Sequence, residues 1–373
     1  MYVKKWEMTP RVFTGEDCLN RLEKFNGQRV CLVCDPFLIG TDSLQRVLTH
    51  LEKDNQVTIF SEIVPDPPIE VVAAGVEKMQ AHQPTILVAV GGGSAIDAAK
   101  AMYFTMLVTG YQAIKRFIAI PTTSGTGSEV TSASVVTDTQ NKIKYPIFDQ
   151  RLIPDEALLD AALVVSSPPK VTAYSGMDVL THALEAMVAK NRSTYTDAIA
   201  EKAIHCVFKY LYQCYTQGTD LRARIKMHQA SCLAGLAFDA AGLGINHAIA
   251  HQLGGQFKVP HGLANTMLLP HVIAFNAHDE YACGKYAAIA VKLGLGSPNL
   301  DKKILVIKLQ KAIVQLAKKL DCPMSLKEYG IAESEALAKK TLIAQNAMND
   351  STYQFNPILA STADLEKIYQ EII

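Results

Sequence analysis

TILVAVGGGSAIDAAK (residues 85–100) joins an apolar run to a glycine turn and then to a segment with helical spacing. Such a run predicts a buried strand, and three glycines let the backbone turn tightly and approach a ligand closely. The N–H groups and partial positive charge at a helix start favour a phosphate. The glycine spacing is not GxGxxG, so an ordinary strand-to-helix turn stays open as an alternative.

Apolar runs of the same kind alternate with helical patterns through the first half of the chain. The strand-like runs are 29–35, 56–64, 84–90 and 116–123. This alternation is typical of parallel strands joined by crossover helices, and it predicts an α/β domain over residues 1–168.

Helix-period segments alone follow the boundary SSPPK (166–170), so we predict a helical domain over residues 169–373. These segments are 172–190, 195–217, 220–241, 245–253, 261–276, 302–320, 334–348 and 362–372.

Composition narrows the classes of partner. Lysine plus arginine (36) balance aspartate plus glutamate (36), and no basic run with interleaved aromatics is present, so we expect no nucleic-acid partner. The N-terminus has no apolar core of signal-peptide length, and no later run approaches 18 uncharged apolar residues. We therefore expect no membrane association and a cytoplasmic protein. Its eight cysteines are expected to be reduced and mostly buried, including the CxxC pair Cys31 and Cys34 within an apolar run.

Two further features favour a dinucleotide at the first domain. The run 116–123 leads into TTSGTGSEVTS (122–132), a loop dense in glycine and in hydroxyl side chains that can bond ribose and phosphate oxygens. The run 29–35 ends in Asp35, whose carboxylate suits ribose hydroxyls and repels a 2′-phosphate, which favours NAD over NADP. A turn residue before Pro36 is the alternative interpretation of Asp35.

Histidines and one aspartate at helical spacing predict a metal site in the second domain. Asp178 and His182 stand four residues apart, which places a carboxylate and an imidazole one turn apart on one helix face. His247 and His251 share this spacing on another segment, and His261 follows Pro260. Spacing alone does not decide which of the three are ligands. This donor set suits zinc or ferrous iron better than calcium or magnesium.

Four motifs in this order, GGGSAIDAAK, PTTSGTGSEVT, GMDVLTHALE and GLGINHAIAHQLGGQFKVPHGLAN, resemble those of the iron-containing (group III) alcohol dehydrogenases. The resemblance covers essentially the whole chain. It implies the dehydroquinate-synthase-like fold, with an N-terminal Rossmann-like domain, an all-helical C-terminal domain, and a cleft for NAD(H) and a divalent metal.

By motif, the resemblance implies that the metal ligands are Asp178, His182, His247 and His261. His251 then lines the nicotinamide side, as our candidate catalytic residue for proton relay or cofactor orientation.

The same resemblance implies a set of cofactor contacts. They are Asp35, Gly91, Gly92, Gly93, Ser94, Asp97, Thr122, Thr123, Thr126, Thr131, Lys144 and Leu163. Asp66 is a departure, because many relatives carry asparagine there; its added negative charge near the cofactor makes NADP less favourable.

The expected reaction is the reversible oxidation of a short-chain primary alcohol to its aldehyde, with Fe²⁺ favoured over Zn²⁺. Several stretches look especially like the branch of the family found in propanediol-utilisation microcompartments, which implies propanal and 1-propanol as the pair. We expect a homodimer or larger homo-oligomer, with microcompartment enzymes or shell as further partners. The alternatives are a zinc-dependent polyol (glycerol-type) dehydrogenase, a lyase of the same fold, and a metal hydrolase.

Overall fold

In the computed structural model, residues 7–139 and 143–373 are described, without the side chains of 143 and 144. The chain divides into two compact units, one ending at Ser167 and one spanning Pro168–Ile373. The first is α/β and the second is helical, so the predicted fold class is confirmed.

The strands of the first unit are short and are separated by three helices and several 3₁₀ turns. The strands are β1 (Arg11–Thr14), β2 (Arg29–Cys34), β3 (Gln56–Phe60), β4 (Ile86–Gly91), β5 (Arg116–Pro121), β6 (Ala133–Asp138), β7 (Ile143–Phe148) and β8 (Glu156–Leu159). The helices are α1 (Asp42–Leu51), α2 (Ile69–His82) and α3 (Gly93–Val108).

Six of these strands form a parallel sheet in the order β1-β8-β5-β4-β2-β3, and β6 pairs antiparallel with β7. Strands β2 and β4 are buried along nearly their whole length, as expected for a sheet with both faces covered. The chain leaves β2 for β3 on one side and returns to β4 on the other. That reversal creates the switch point at which parallel sheets bind ligands.

The second unit consists of helices joined by short connections. They are α4 (Pro169–Val188), α5 (Thr194–Thr216), α6 (Leu221–Ala241), α7 (Ile245–Phe257), α8 (His261–Asn276), α9 (Glu280–Lys292), α10 (Lys302–Lys319), α11 (Leu326–Tyr329), α12 (Glu333–Met348) and α13 (Thr362–Gln370).

Helix α4 is the centre of this unit, because every residue from Gly176 to Val188 is buried. Its start is defined by Pro168 and Pro169, which preset the backbone for a first helical turn. Gly176 lets α5 approach closely, since a Cβ there would lie 2.2 Å from Leu211 Cδ1.

Some elements were not predicted. The pattern omits β1, β6, β7 and β8, and it also omits α9 and α11. Helix α9 carries a start signal in Asp279, whose side chain accepts a hydrogen bond from Ala282 N at 2.8 Å. Within the described residues, no single helix is long and apolar enough to cross a membrane; α6 and α7 meet that criterion only as a pair bent by 108°.

Candidate metal centre and dinucleotide site

Three helices of the second unit bring the predicted metal ligands together. Asp178 and His182 lie one turn apart on α4, His247 lies in the first turn of α7, and His261 is the first residue of α8. One potential ligand atom from each of the four lies within 4.8 Å of all the others. Three separate segments therefore converge on one point.

The spacing of these atoms fits a single cation. The Nε2 atoms of His261 and His247 lie 3.6 and 3.8 Å from Oδ1 of Asp178, and Nε2 of His182 lies 3.9 Å from Oδ2. Metal–ligand bonds of about 2.0–2.2 Å separate neighbouring ligand atoms by roughly 3–3.5 Å. Small side-chain adjustments are enough to close this difference, and three imidazoles with one carboxylate suit ferrous iron or zinc.

The cluster is closed on one side and open on the other. The side chains of His247, Asp178 and His182 are 1, 4 and 5% exposed, whereas that of His261 is 42% exposed. A catalytic metal requires a coordination position that substrate can reach, and His261 marks the side from which it is reached.

Glu185 holds the imidazole of His247 from behind. Its Oε2 accepts a hydrogen bond from Nδ1 of His247, and its Oε1 accepts one from Asn246 N at 2.8 Å. With the proton on Nδ1, Nε2 of His247 is left as the lone-pair atom facing Asp178. Burial lowers the pKa of His247 well below its usual value, and the neighbouring histidines lower it further, which keeps the ring in its neutral, metal-binding form.

His251 lies on α7 one turn beyond His247 and is paired with an aspartate. Its Nδ1 donates to Oδ2 of Asp350 at 2.7 Å, and its ring stacks on that of His261 with centroids 5.4 Å apart. The other oxygen of Asp350 accepts hydrogen bonds from the backbone N and Oγ1 of Thr352 at 2.9 and 2.7 Å. His251 thus lies beside the four predicted metal ligands, and its carboxylate partner is Asp350, whereas that of His247 is Glu185.

A glycine allows the close approach of α8 to α4. A Cβ on Gly262 would lie 2.1 Å from the backbone oxygen of Tyr174, nearer than any real Cβ contact. Gly262 directly follows His261, so this contact sets the distance between His261 and Asp178.

In the first unit, the carboxyl ends of β2, β4 and β5 bring the predicted nucleotide residues together. Asp35 follows β2, and its Oδ2 accepts a hydrogen bond from Gly92 N at 2.9 Å. Gly91 has φ +156°, and a Cβ there would lie 2.4 Å from the same oxygen, so only glycine fits. Gly93 begins α3 and leaves its first N–H groups available to a phosphate. Burial raises the pKa of Asp35.

The threonine-rich loop lies against this turn. Thr122 N donates to Gly91 O at 2.9 Å, and a Cβ on Gly93 would lie 2.7 Å from Cγ2 of Thr126. The buried Oγ1 of Thr122 has no hydrogen-bond partner within the described part of the chain. A buried hydroxyl in this position fits a ligand oxygen, as a dinucleotide supplies.

Asp97 and Lys100 hold the segment that follows the loop. Asp97 accepts hydrogen bonds from Ser128 Oγ at 2.5 Å and from Val135 N at 3.0 Å, so both of its carboxylate oxygens bond to groups of the protein itself. Lys100 is completely buried and donates to Thr131 O, Thr131 Oγ1 and Ala133 O at 2.6, 3.0 and 2.8 Å. Both residues attach α3 to the 128–135 segment.

The remaining predicted cofactor residues have varied surroundings. Ser94 and Thr123 are half-buried beside the turn and loop, and Asp66 is exposed with φ 54°. Leu163 is 2% exposed and belongs to the core behind the sheet. Lys144 lies in β7, but its side chain is outside the described part of the structure.

Sequence reasoning missed several residues that complete these sites. Glu185, Asp350, Lys100 and Asn265 each contact a predicted site residue that lies between 31 and 99 residues away in the sequence. Glu185 and Asn265 carry a signal, because Glu185 follows His182 by three residues and Asn265 follows His261 by four, each pair on one helix.

Comparison with known proteins identifies the family. The iron-containing alcohol dehydrogenase family matches residues 9–161, and the C-terminal region of the Fe-containing alcohol dehydrogenase family matches residues 172–373. The chain therefore belongs to the iron-containing alcohol dehydrogenases and is an alcohol oxidoreductase, which confirms the resemblance in the motifs.

Individual relatives are similar over nearly their full length. A protein named 1-propanol dehydrogenase PduQ from Citrobacter freundii is 44% identical and covers 100% of both chains. An NADPH-dependent butanol dehydrogenase from Clostridium saccharobutylicum is 38% identical and covers 96% of this chain and 95% of its own. The crystal structure of a 1,3-propanediol oxidoreductase superposes with a TM-score of 0.90 at 32% identity, over 98% of each chain.

Proposed function

We propose that this iron-containing alcohol dehydrogenase interconverts 1-propanol and propanal with NAD(H) and ferrous iron. The observation that carries the proposal is the convergence of Asp178, His182, His247 and His261 within 4.8 Å, in a chain 44% identical to a protein named 1-propanol dehydrogenase. The C-terminal unit then has the metal and substrate role, and the N-terminal unit has the dinucleotide role.

The four clustered residues are the proposed metal ligands. When bound, the cation supplies Lewis-acid stabilisation of negative charge on the substrate oxygen, while the nicotinamide carries the hydride. The chain's own contribution is orientation. Glu185 keeps a proton on Nδ1 of His247, and Asn265 donates to Oδ1 of Asp178 at 2.7 Å.

His251 is the proposed catalytic residue. Asp350 keeps a proton on its Nδ1, so Nε2 is the atom left to exchange a proton or to orient the cofactor. Its side chain is 31% exposed, which gives it access to solvent while it stays beside His261.

Asp35 supports NAD as the dinucleotide. Its carboxylate lies at the switch point of the sheet, bonded to Gly92 N, where a negative charge repels a 2′-phosphate. A relative named for NADPH shows that membership of the family does not decide the cofactor. The proposal for the cofactor therefore rests on Asp35, with the glycine turn and the threonine loop as the phosphate-binding elements.

A diol is the second candidate substrate. The solved structure of a 1,3-propanediol oxidoreductase shares the fold over 98% of this chain, so a C3 diol belongs in any substrate panel. Iron is favoured over zinc by the family, although the donor set accepts both. We further propose a cytoplasmic homo-oligomer that works inside a propanediol-utilisation microcompartment, supported by the relative named PduQ.

Anaerobic assay of the purified protein tests the proposal. Protein loaded with Fe²⁺ is mixed with NADH and with C2 to C4 aldehydes, and in separate reactions with NAD⁺ and either 1-propanol or 1,3-propanediol, and absorbance at 340 nm is followed. We expect the steepest fall with propanal, a much weaker fall with NADPH, and activity that fades in air and returns with ferrous salt. A flat trace with every aldehyde, or an air-stable enzyme restored only by zinc, contradicts the proposed reaction or the proposed metal, respectively.

A further inference from the structure

Asn265 is a completely buried amide in contact with the cluster of proposed metal ligands. It lies on α8, one turn beyond His261, and its Nδ2 donates to Oδ1 of Asp178 at 2.7 Å. The same nitrogen lies 3.1 Å from Nε2 of His247 and 3.2 Å from Nε2 of His261. One side chain therefore reaches atoms of three of the four proposed ligands.

A second buried amide fixes which way Asn265 points. Nδ2 of Asn246 donates to Oδ1 of Asn265 at 2.9 Å and to its backbone oxygen at 3.2 Å. If the Asn265 amide were reversed, its oxygen would face the carboxylate of Asp178 and its NH₂ would face another donor. Both ends of the amide therefore require the same orientation. Asn246 is itself anchored through its backbone N to Glu185.

We propose that Asn265 is a positioning residue of the metal centre, that it sets the orientation of the Asp178 carboxylate, and that Asn246 acts on the centre through it. The proposal rests on the metal ligands proposed above. The chain of bonds from Asn246 to Asn265 to Asp178 crosses α7, α8 and α4, the three helices that supply the ligands.

The chemistry of an amide suits this position. A carboxylate on a short side chain turns about its last bond unless one of its oxygens is held, and the hydrogen bond to Oδ1 holds it between the histidines. The amide donates a proton without bringing a formal positive charge, so it repels a bound cation less than a lysine in its place would. Partners of ligands in this relation typically change metal affinity by about 10–100-fold when they are removed.

A purely structural role for Asn265 is separable from this one by a matched control. Asn276 is also completely buried on α8, but it exchanges hydrogen bonds with Asn356 and contacts no proposed ligand. Asn276→Leu removes the same chemical group from the same helix, and it should lower thermal stability with a change in metal affinity below about twofold.

Titration of metal-free protein with Co²⁺ under argon gives the decisive measurement. The visible bands of Co²⁺ report both affinity and coordination geometry. We expect Asn265→Leu to raise the dissociation constant for Co²⁺ by about 10–100-fold and to alter the visible bands, with the circular dichroism spectrum unchanged. An affinity within twofold of the parent protein, with the same spectrum, overturns the proposal. If the leucine variant does not fold, Asn265→Ala carries the same expectation.

A double-variant comparison tests whether Asn246 acts through Asn265. If it does, Asn246→Ala weakens Co²⁺ binding less than Asn265→Ala, and the double variant is no weaker than Asn265→Ala alone. If the losses of Co²⁺ affinity in the two single variants add in the double variant, Asn246 does not act through Asn265. Because Co²⁺ binding is measured without substrate, a parent protein that binds the ion tightly but does not reduce propanal contradicts the proposed function and leaves this inference intact.

Discussion

Asp350 accepts a hydrogen bond from Nδ1 of His251 at 2.7 Å, although 99 residues separate them in the sequence. Burial alone raises the pKa of Asp350, but the charge and hydrogen bond of His251, together with two bonds from Thr352, lower it overall. An ionised carboxylate therefore faces the imidazole and fixes both its tautomer and the plane of its ring.

Removing this carboxylate should reduce turnover without emptying the metal site. For Asp350→Ala we expect kcat to fall by about 10–100-fold with metal content unchanged, because the ring of His251 loses its orientation while no proposed ligand is altered. Steady-state kinetics with propanal and elemental analysis of the same sample measure both. Normal kcat would show that His251 needs no partner.

Substitution of neighbouring histidines on α7 should separate metal binding from catalysis. His247→Ala should leave less than about a tenth of the metal, because it removes a buried proposed ligand and leaves the carboxyl of Glu185 without its partner. His251→Ala, one turn away, should keep the metal and lose turnover. Elemental analysis after anaerobic dialysis measures the metal content of both variants. The assignment of His247 as the ligand is wrong if His251→Ala is the variant that loses its metal.

Lys100 should contribute to dinucleotide binding without touching the dinucleotide. Lys100→Met leaves two buried oxygens of Thr131 and the partly buried carbonyl of Ala133 without this donor, at a cost of about 1–3 kcal/mol in the free energy of unfolding for each buried group. The threonine loop then loses its attachment to α3, and NADH should bind more weakly. Fluorescence titration with NADH measures this, while unchanged metal content serves as the internal control; NADH affinity equal to the parent's refutes it.

Glu129 should make stability depend on pH. Burial raises its pKa to about 7 from the ordinary value of 4.5, so the folded protein binds this proton more tightly than the unfolded chain does. Unfolding free energy therefore falls as pH rises from about 4.5 to about 7, by roughly 3 kcal/mol from this group, and is flat above.

The variant Glu129→Gln removes that ionisation. It should match the parent near pH 4.5 and exceed it in stability at pH 8, as measured by urea unfolding at both values. Glu77→Gln, at an exposed position of α2, is the control and should follow the parent at both. A parallel pH dependence in Glu129→Gln and the parent would contradict the assignment.

Gly262→Ala should weaken metal binding although Gly262 is not one of the proposed ligands. The new methyl group would meet the backbone oxygen of Tyr174 and push α8 from α4, at about 1–3 kcal/mol. Metal affinity should fall together with stability, because His261 moves with α8. Gly284→Ala, in open space on α9, is the control and should gain up to about 1 kcal/mol. Unchanged Co²⁺ affinity in Gly262→Ala would show that the contact is not needed.

The parts of the fold that sequence reasoning identified are those with strong local patterns. Strand β2 reads as a continuous apolar run, and α4, α7 and α8 keep helical spacing around their histidines. Strand β7 was missed because Pro146 argues against a strand, and β8 because EALL has helical propensity. Their structure depends on pairing with strands elsewhere in the chain, which local pattern does not record.

The same distinction applies to the site. Asp178 and His182 were found because a helix brings residues four apart onto one face. Asn265 lies 87 residues from Asp178, and Asp350 lies 99 from His251, so only the packing of helices brings each pair together. The proposed ligands can be recognised from local motifs, whereas the residues that hold them in place come together only in the folded protein.

The two cysteines of β2, Cys31 and Cys34, should resist oxidation when the protein is exposed to air. Burial raises the pKa of Cys31 to about 12 and that of Cys34 to about 11, so at neutral pH only about one thiol in 10⁴ to 10⁵ is the oxidisable thiolate. Both side chains are completely buried in the sheet. Dithiothreitol acting on this pair should therefore not revive protein left in air, whereas ferrous salt should.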